Sequence, residues 1–352
     1  MKKILAIVLA VIVIAAGAGY FVWESQSYVA RIGNHKIKNH EYIFFLRAQK
    51  LTTETEAGVS TEQEIRYLWE TPVEGEDPKI IVMNQALENA KEFKIQLIQA
   101  EREGFRLSDT DKKEILNYLN TSLQNSQNVN YVRNALGLTL PQFRDMMLKS
   151  ETVNRYANDY MQKNRETIVV TDEEIQTYYQ ENRTTIDEVT VSHLLISTEQ
   201  AQTDEQKQEK KALAESLLQR IEQGESMATL IQDYSDDTSS KDNGGLYTFT
   251  YAEMEDQEYT LEFGDWAFGS EPGDLVLLES QYGLHIVKLE AKKGFEAKKE
   301  TMKSAVKAEK LNEFYYSQVQ EWNRDPAFNL VKNEKILKKI TDKTFMKNSN
   351  QN

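Results

Sequence analysis

Two of the four histidines in this 352-residue chain lie in apolar, strand-like surroundings, His193 in "VSHLLI" and His285 in "YGLHIVKL". An imidazole there can carry a proton, bind a metal or join a hydrogen-bond network. A lone strand histidine is more often a satisfied core or surface residue. Two of them, at either end of one small α/β segment, can face each other across its sheet. Between them runs "YSDDTSSKDNGGLY" (234–247), an acidic, Ser-rich turn with two glycines. That composition suits a linker, a metal loop or one wall of a catalytic pocket. Its serines, Ser235, Ser239 and Ser240, read as turn residues, and no G-x-S-x-G is present, which disfavours a serine hydrolase. The chain has no cysteine. Thiol nucleophiles, disulfides and Cys-zinc sites are thereby removed together. His35 and His40, beside the Gly33-Asn34 turn, read as solvated.

The elements that must position these residues fall into two kinds. Residues 28–42 read as two short strands about a turn, entering a helix at 41–51 with apolar residues at helical spacing. A long helix follows at 79–104. Further starts are marked by Ser108 with Asp111, by Thr139 with Pro141, and by Thr171 with Glu174 as a capping box. Residues 28–182 are therefore mainly helical. The character changes at 188, where "EVTVSHLLIS" is β-branched and strand-like. A helix from Thr203 to about Gln223, a short one at 227–234, strand-like "TFTYAEM", and a helix, Pro-Gly turn and two strands over 262–292 complete a compact α/β segment. A last amphipathic helix spans 295–325. The Lys/Asn-rich residues 326–352 read as a frayed polar tail. The fold class is α+β, with a small sheet and its helices (188–292) inserted in a mainly helical domain (28–182 completed by 295–325).

Residues 4–22 carry no charge and are long enough for a bilayer core of about 20 helical residues. Lys2 and Lys3 precede the run and Trp23 ends it. Residues 1–23 thus read as one N-terminal transmembrane helix, with the body on the extracytoplasmic side. Cleavage as a signal peptide, after the small residues at 16–18, is the rival reading, giving a secreted body. The net charge is −14. That acidity argues against a nucleic-acid partner, which wants a basic face.

Read together, "VSHLLIS", "ATLIQDYSDDTSSKDNGGLYTF" and "EPGDLVLLESQYGLHIVKLE" resemble the parvulin family of peptidyl-prolyl cis/trans isomerases in order, spacing and element type. "VARIGNHKIKNHEY" is similar to the opening strand pair of the chaperone domain in extracytoplasmic foldases of the PrsA and SurA type, whose helical domain is completed by a helix after the parvulin insert. The resemblance implies isomerase and chaperone activity on unfolded or newly secreted proteins with X-Pro bonds, and no cofactor. It implies a catalytic set of His193, Asp237, Ser280 and His285, and an apolar proline pocket of Leu246, Met254 and Phe263. It explains the two imidazoles and the carboxylate without the metal site that His193, Asp237 and His285 could otherwise form. The chain departs from the pattern at Tyr247, where glycine is usual, and at Gly245, where aspartate is common. The loop after His193, "STEQAQTDEQ", is not basic, so phosphorylated substrates are not expected. A holdase with an inactive parvulin unit is the alternative function, and a homodimer through the helical part is left open.

Overall fold

Side-chain caps set the helix starts. Thr61 with Glu64, Ser108 with Asp111, Thr139 with Gln142, Thr171 with Glu174 and Thr203 with Gln206 each exchange both capping-box hydrogen bonds in the computed structural model of the chain. Each such cap stabilises its helix by about 1 kcal/mol. The structure describes residues 27–255 and 261–345. Two units emerge, one holding the described residues up to Glu166 and from Leu311 onward, the other Thr167–Lys310.

The first unit is helical around a three-stranded antiparallel sheet. β1 (Tyr28–Ile32) pairs with β2 (His35–Lys38) on one side and with β7 (Leu330–Lys332) on the other. Val29, Ile32, Ile37, Tyr42, Leu46, Leu87 and Ile95 form its core with Leu337. The helix Pro78–Arg102 begins with Pro78 just inside its Asp77 cap, where a missing N–H costs nothing. Beneath the sheet, Glu41 is 1% exposed, yet it is charged. It accepts from the Lys38 N–H at 2.8 Å, Lys94 Nζ at 2.7 Å and Lys149 Nζ at 2.8 Å. Burial pushes its carboxyl up, but Lys94 and Lys149 more than offset this and hold it below the ordinary glutamate value. His40 is also engaged here and not simply solvated, its Nε2 lying 2.8 Å from Asp145 Oδ2.

The carboxy-terminal residues correct the expectation of a frayed tail. Residues 326–328 make a 3-10 turn, β7 closes the first sheet, and a helix spans Glu334–Phe345. Phe328 and Leu337 are buried, and Phe345 packs on Trp69 with ring centroids 4.7 Å apart. The apolar positions Ile336, Leu337 and Ile340 keep helical spacing among the lysines, enough to bury one narrow stripe.

The second unit is built on a four-stranded antiparallel sheet in the order β4-β3-β6-β5: β3 Glu188–Ser197, β4 Leu246–Thr250, β5 Leu275–Ser280 and β6 Gly283–Lys293. Alternation along the strands separates two cores. Leu194, Ile196, Leu284 and Ile286 pack on the helices Asp204–Glu222 and Met227–Tyr234. Val189, Val191, Val287 and Leu289 face the other way, onto Phe263 and Ala267 of the helix Leu261–Gly269. With both faces covered, the central strand β3 is buried almost continuously from Val191 to Leu194. Among the described residues no helix is long and apolar enough to cross a membrane, and the apolar run 4–22 lies outside them.

Candidate active site

The sheet register brings the two histidines together. His193 of β3 pairs with Val287, and Leu195 pairs with His285 of β6. The imidazoles are therefore diagonal neighbours on one face, within reach of each other. Nε2 of His193 lies 2.8 Å from Nδ1 of His285, with ring planes 19° apart. Both are buried, at 5% and 2% exposure. Ser280, at the end of β5 opposite Gly283, places its Oγ 2.6 Å from Nε2 of His285 and accepts the Tyr282 N–H at 3.1 Å. Gly283 is required here, because a Cβ would meet the Ile196 carbonyl at 2.2 Å.

Asp237 arrives from the turn after helix Met227–Tyr234. That turn is bonded to β3: the Asp236 N–H donates to the Leu195 carbonyl at 2.8 Å, and Ser235 Oγ accepts the Leu195 N–H at 3.3 Å. Further along, the His193 N–H donates to the Gly245 carbonyl at 2.9 Å. Gly244 and Gly245 both have positive φ, 76° and 72°, and a Cβ on Gly245 would meet the His193 carbonyl at 2.3 Å. Two glycines are thus what lets the loop turn and lie against the strand. The stretch 234–247 is a wall of the histidine site and not a linker.

Asp237 Oδ1 accepts from the Ser239 N–H at 3.0 Å and Ser239 Oγ at 2.6 Å. Its Oδ2 accepts from Ser240 Oγ at 2.5 Å and the Tyr247 hydroxyl at 2.6 Å. Nδ1 of His193 stands 3.4 Å from the same oxygen, within ion-pair range but long for a hydrogen bond. The adjacent His193 imidazole, joined by the Ser239, Ser240 and Tyr247 hydroxyls, holds the Asp237 carboxyl far below the usual range, against partial burial. Burial, with His193 adding and Asp237 opposing, pushes His285 down to about 4. His285 is therefore neutral at physiological pH.

These contacts admit one unbroken donor chain. In it the Ser280 hydroxyl, which accepts the Tyr282 N–H, donates to His285 Nε2, His285 Nδ1–H donates to His193 Nε2, and His193 Nδ1–H faces the Asp237 carboxylate. That chain runs from a backbone amide through a hydroxyl and two imidazoles to an anion.

The expected apolar residues divide. Phe263 lies against both imidazoles, with ring centroids 5.2 Å from His193 and 5.4 Å from His285. Met254, in the short helix Tyr251–Glu255, is buried against Gly264, the residue next to Phe263. Leu246 is not brought to this face. It pairs with Ser192 and is 46% exposed, and the alternation puts Tyr247, paired with Val191, on the histidine side instead. The glycine turn sets the phase of β4, and the phase is one residue away from that expected. The sequence reading also missed Ser239, Ser240 and Tyr247 as partners of Asp237. The departure from glycine at 247 was the available signal.

In the first unit, His40, Glu41 and Asp145 bring ligand atoms within 4.8 Å of one another. Their carboxylates already hold Lys94 and Lys149, whose ammonium groups take the place of a cation.

Residues 177–293 match the family described as the PPIC-type PPIase domain. Foldase protein PrsA of Caldanaerobacter subterraneus is 27% identical over 318 residues, 89% of this chain and 88% of that protein. Foldase protein PrsA of Clostridium kluyveri is 29% identical over 223 residues, 60% of each. Among solved structures, the foldase PrsA of Lactococcus lactis aligns with 92% of this chain and 100% of its own at 12% identity, with a TM-score of 0.35. That score is too low to equate the overall arrangements. The domain match, and not the structural likeness, carries the assignment: residues 177–293 are a parvulin-type peptidyl-prolyl cis/trans isomerase domain, in a chain similar to the PrsA foldases.

Proposed function

We propose that the chain is a membrane-anchored, extracytoplasmic foldase that isomerises X-Pro bonds in unfolded or newly secreted proteins, with His193, Asp237, Ser280 and His285 as the floor of its active site. The observation that carries this reading is the hydrogen-bonded line Ser280–His285–His193 directed at Asp237 and backed by Phe263. The anchor is residues 4–22, uncharged and of spanning length. The helical unit holds the client while the second unit acts.

The chemistry suits such a floor. Rotation about a prolyl amide faces a barrier of about 18–20 kcal/mol, because the twisted state loses nitrogen–carbonyl resonance. No bond is made or broken to a nucleophile. Each tenfold gain in rate needs about 1.4 kcal/mol of preference for the twisted amide over the planar one. Phe263 and Met254 supply the apolar side on which a prolyl ring packs. The imidazole pair, held by the Ser280 contact and the bond between the rings, supplies a rigid floor that needs little reorganisation as the carbonyl swings. Asp237 anchors that floor as a permanent anion. Its four hydroxyl and amide donors leave it no lone pair with which to attack the substrate carbonyl.

The test is a protease-free isomerisation assay on an X-Pro peptide, run beside an aggregation assay on an unfolded client. Catalysis of the first is expected, along with delay of the second. Delay without catalysis makes the chain a holdase with an inactive isomerase unit.

A further inference from the structure

The contacts around Asp237 Oδ2 do not fit a histidine–carboxylate dyad. A carboxylate oxygen offers two good acceptor positions. Here Ser240 Oγ and the Tyr247 hydroxyl hold both, at 2.5 and 2.6 Å. His193 Nδ1 is the third claimant at 3.4 Å, and it is buried with no hydrogen-bond partner. A buried polar group left in this state costs about 1–3 kcal/mol, so something must maintain it. Ser239 and Ser240 belong to the turn itself. Tyr247 reaches in from β4, where its ring packs in the core with Phe263 and lies edge-on to His193 at 5.8 Å. The Tyr247 hydroxyl also lies 2.8 Å from Ser239 Oγ, against the turn. No other β4 side chain can do this, since Leu246, Thr248 and Thr250 alternate to the opposite face and Phe249, on the same face, has no hydroxyl.

We propose that Tyr247 is a positioning residue of the isomerase site: its hydroxyl occupies the Asp237 oxygen that would otherwise bond His193, and so keeps the carboxylate and the imidazole pair apart. The inference rests on the reading of His193 and Asp237 as the active-site floor. With the phenol in place, His193 is aligned by His285 and Phe263 alone, and the carboxylate acts on it only through the field. Without the phenol, Oδ2 has a free position. The His193 N–H then closes on it to the 2.7–2.9 Å of a charge-assisted bond. His193 is drawn from its 2.8 Å contact with His285, and the floor loses its alignment.

The test uses the full-length chain in detergent, with Tyr247→Phe, which keeps the ring and its packing. Ser240→Ala frees the other position on the same oxygen without touching the aromatic core. Ring proton–nitrogen correlation spectra report the His193 Nδ1–H directly. Both variants should move that resonance downfield, the mark of a shorter bond to an anion. In isomerisation kinetics Tyr247→Phe should lower kcat roughly threefold to tenfold with KM unchanged, the worth of a typical net hydrogen bond. That loss should vanish in an Asp237→Asn background. A His193 resonance unmoved in both variants overturns the inference, even if Asp237→Asn slows catalysis and the active-site reading stands. If the resonance moves but Asp237→Asn leaves the rate unchanged, the positioning role holds and Asp237 leaves the mechanism.

Discussion

At the scale of single residues, the site joins groups that lie far apart in the chain and whose neighbours shift the titration of Asp237 and His285. His285 is the clearest case, pushed from 6.5 to about 4 by burial first. Between those two values the unfolded chain takes up a proton that the folded chain refuses, so stability falls as pH drops through the window. The loss reaches roughly 3 kcal/mol by linkage. Denaturant midpoints measured from neutral pH down through this range should fall in the wild type and fall less in His285→Asn. Gly245→Ala tests the glycine turn. At φ of 72° and 2.3 Å from the His193 carbonyl, a methyl must displace the loop. The cost exceeds the roughly 1–3 kcal/mol of strained backbone alone, and the melting temperature should drop together with activity. His193, Asp237, Ser280, His285 and Phe263 were legible because their residue types recur in a known order. Leu246 was misplaced because hydrophobic pattern gives the period of a strand but not its phase. The two glycines set that phase through dihedral angles that a one-dimensional reading does not contain.

At the scale of elements, strand alternation and capping boxes were readable, since both rest on contacts between residues near in sequence. The carboxy-terminal helix was not. Its lysines hide a stripe whose burial depends on β1, about 300 residues away, pairing with β7. Leu337 is fully packed in that stripe, so Leu337→Ala should destabilise the helical unit by about 2–5 kcal/mol in a denaturant titration. A polar tail with no role would tolerate it. Nor could Glu41 be recognised as buried, because its partners Lys94 and Lys149 come from separate helices. Glu41→Ala would leave two ammonium groups facing each other in a buried site. It should cost about 3–5 kcal/mol, read as a lowered unfolding midpoint of the same unit.

At the scale of the whole molecule, the proposed function gives the two units separable tasks. Changes at the histidine site should slow isomerisation and leave the delay of client aggregation intact, if holding resides in the helical unit. Changes at Glu41 or Leu337 should weaken the delay first. The most direct measurement is of isomerisation kinetics on a proline peptide, in a protease-free assay, comparing the wild-type body with His193→Ala and Asp237→Ala. Rates reduced at least about tenfold in both, with folding unchanged, are the predicted result, equivalent to some 1.4 kcal/mol of lost preference for the twisted amide. Wild-type rates in both variants would contradict the account, for they would place catalysis away from the line of Ser280, His285, His193 and Asp237.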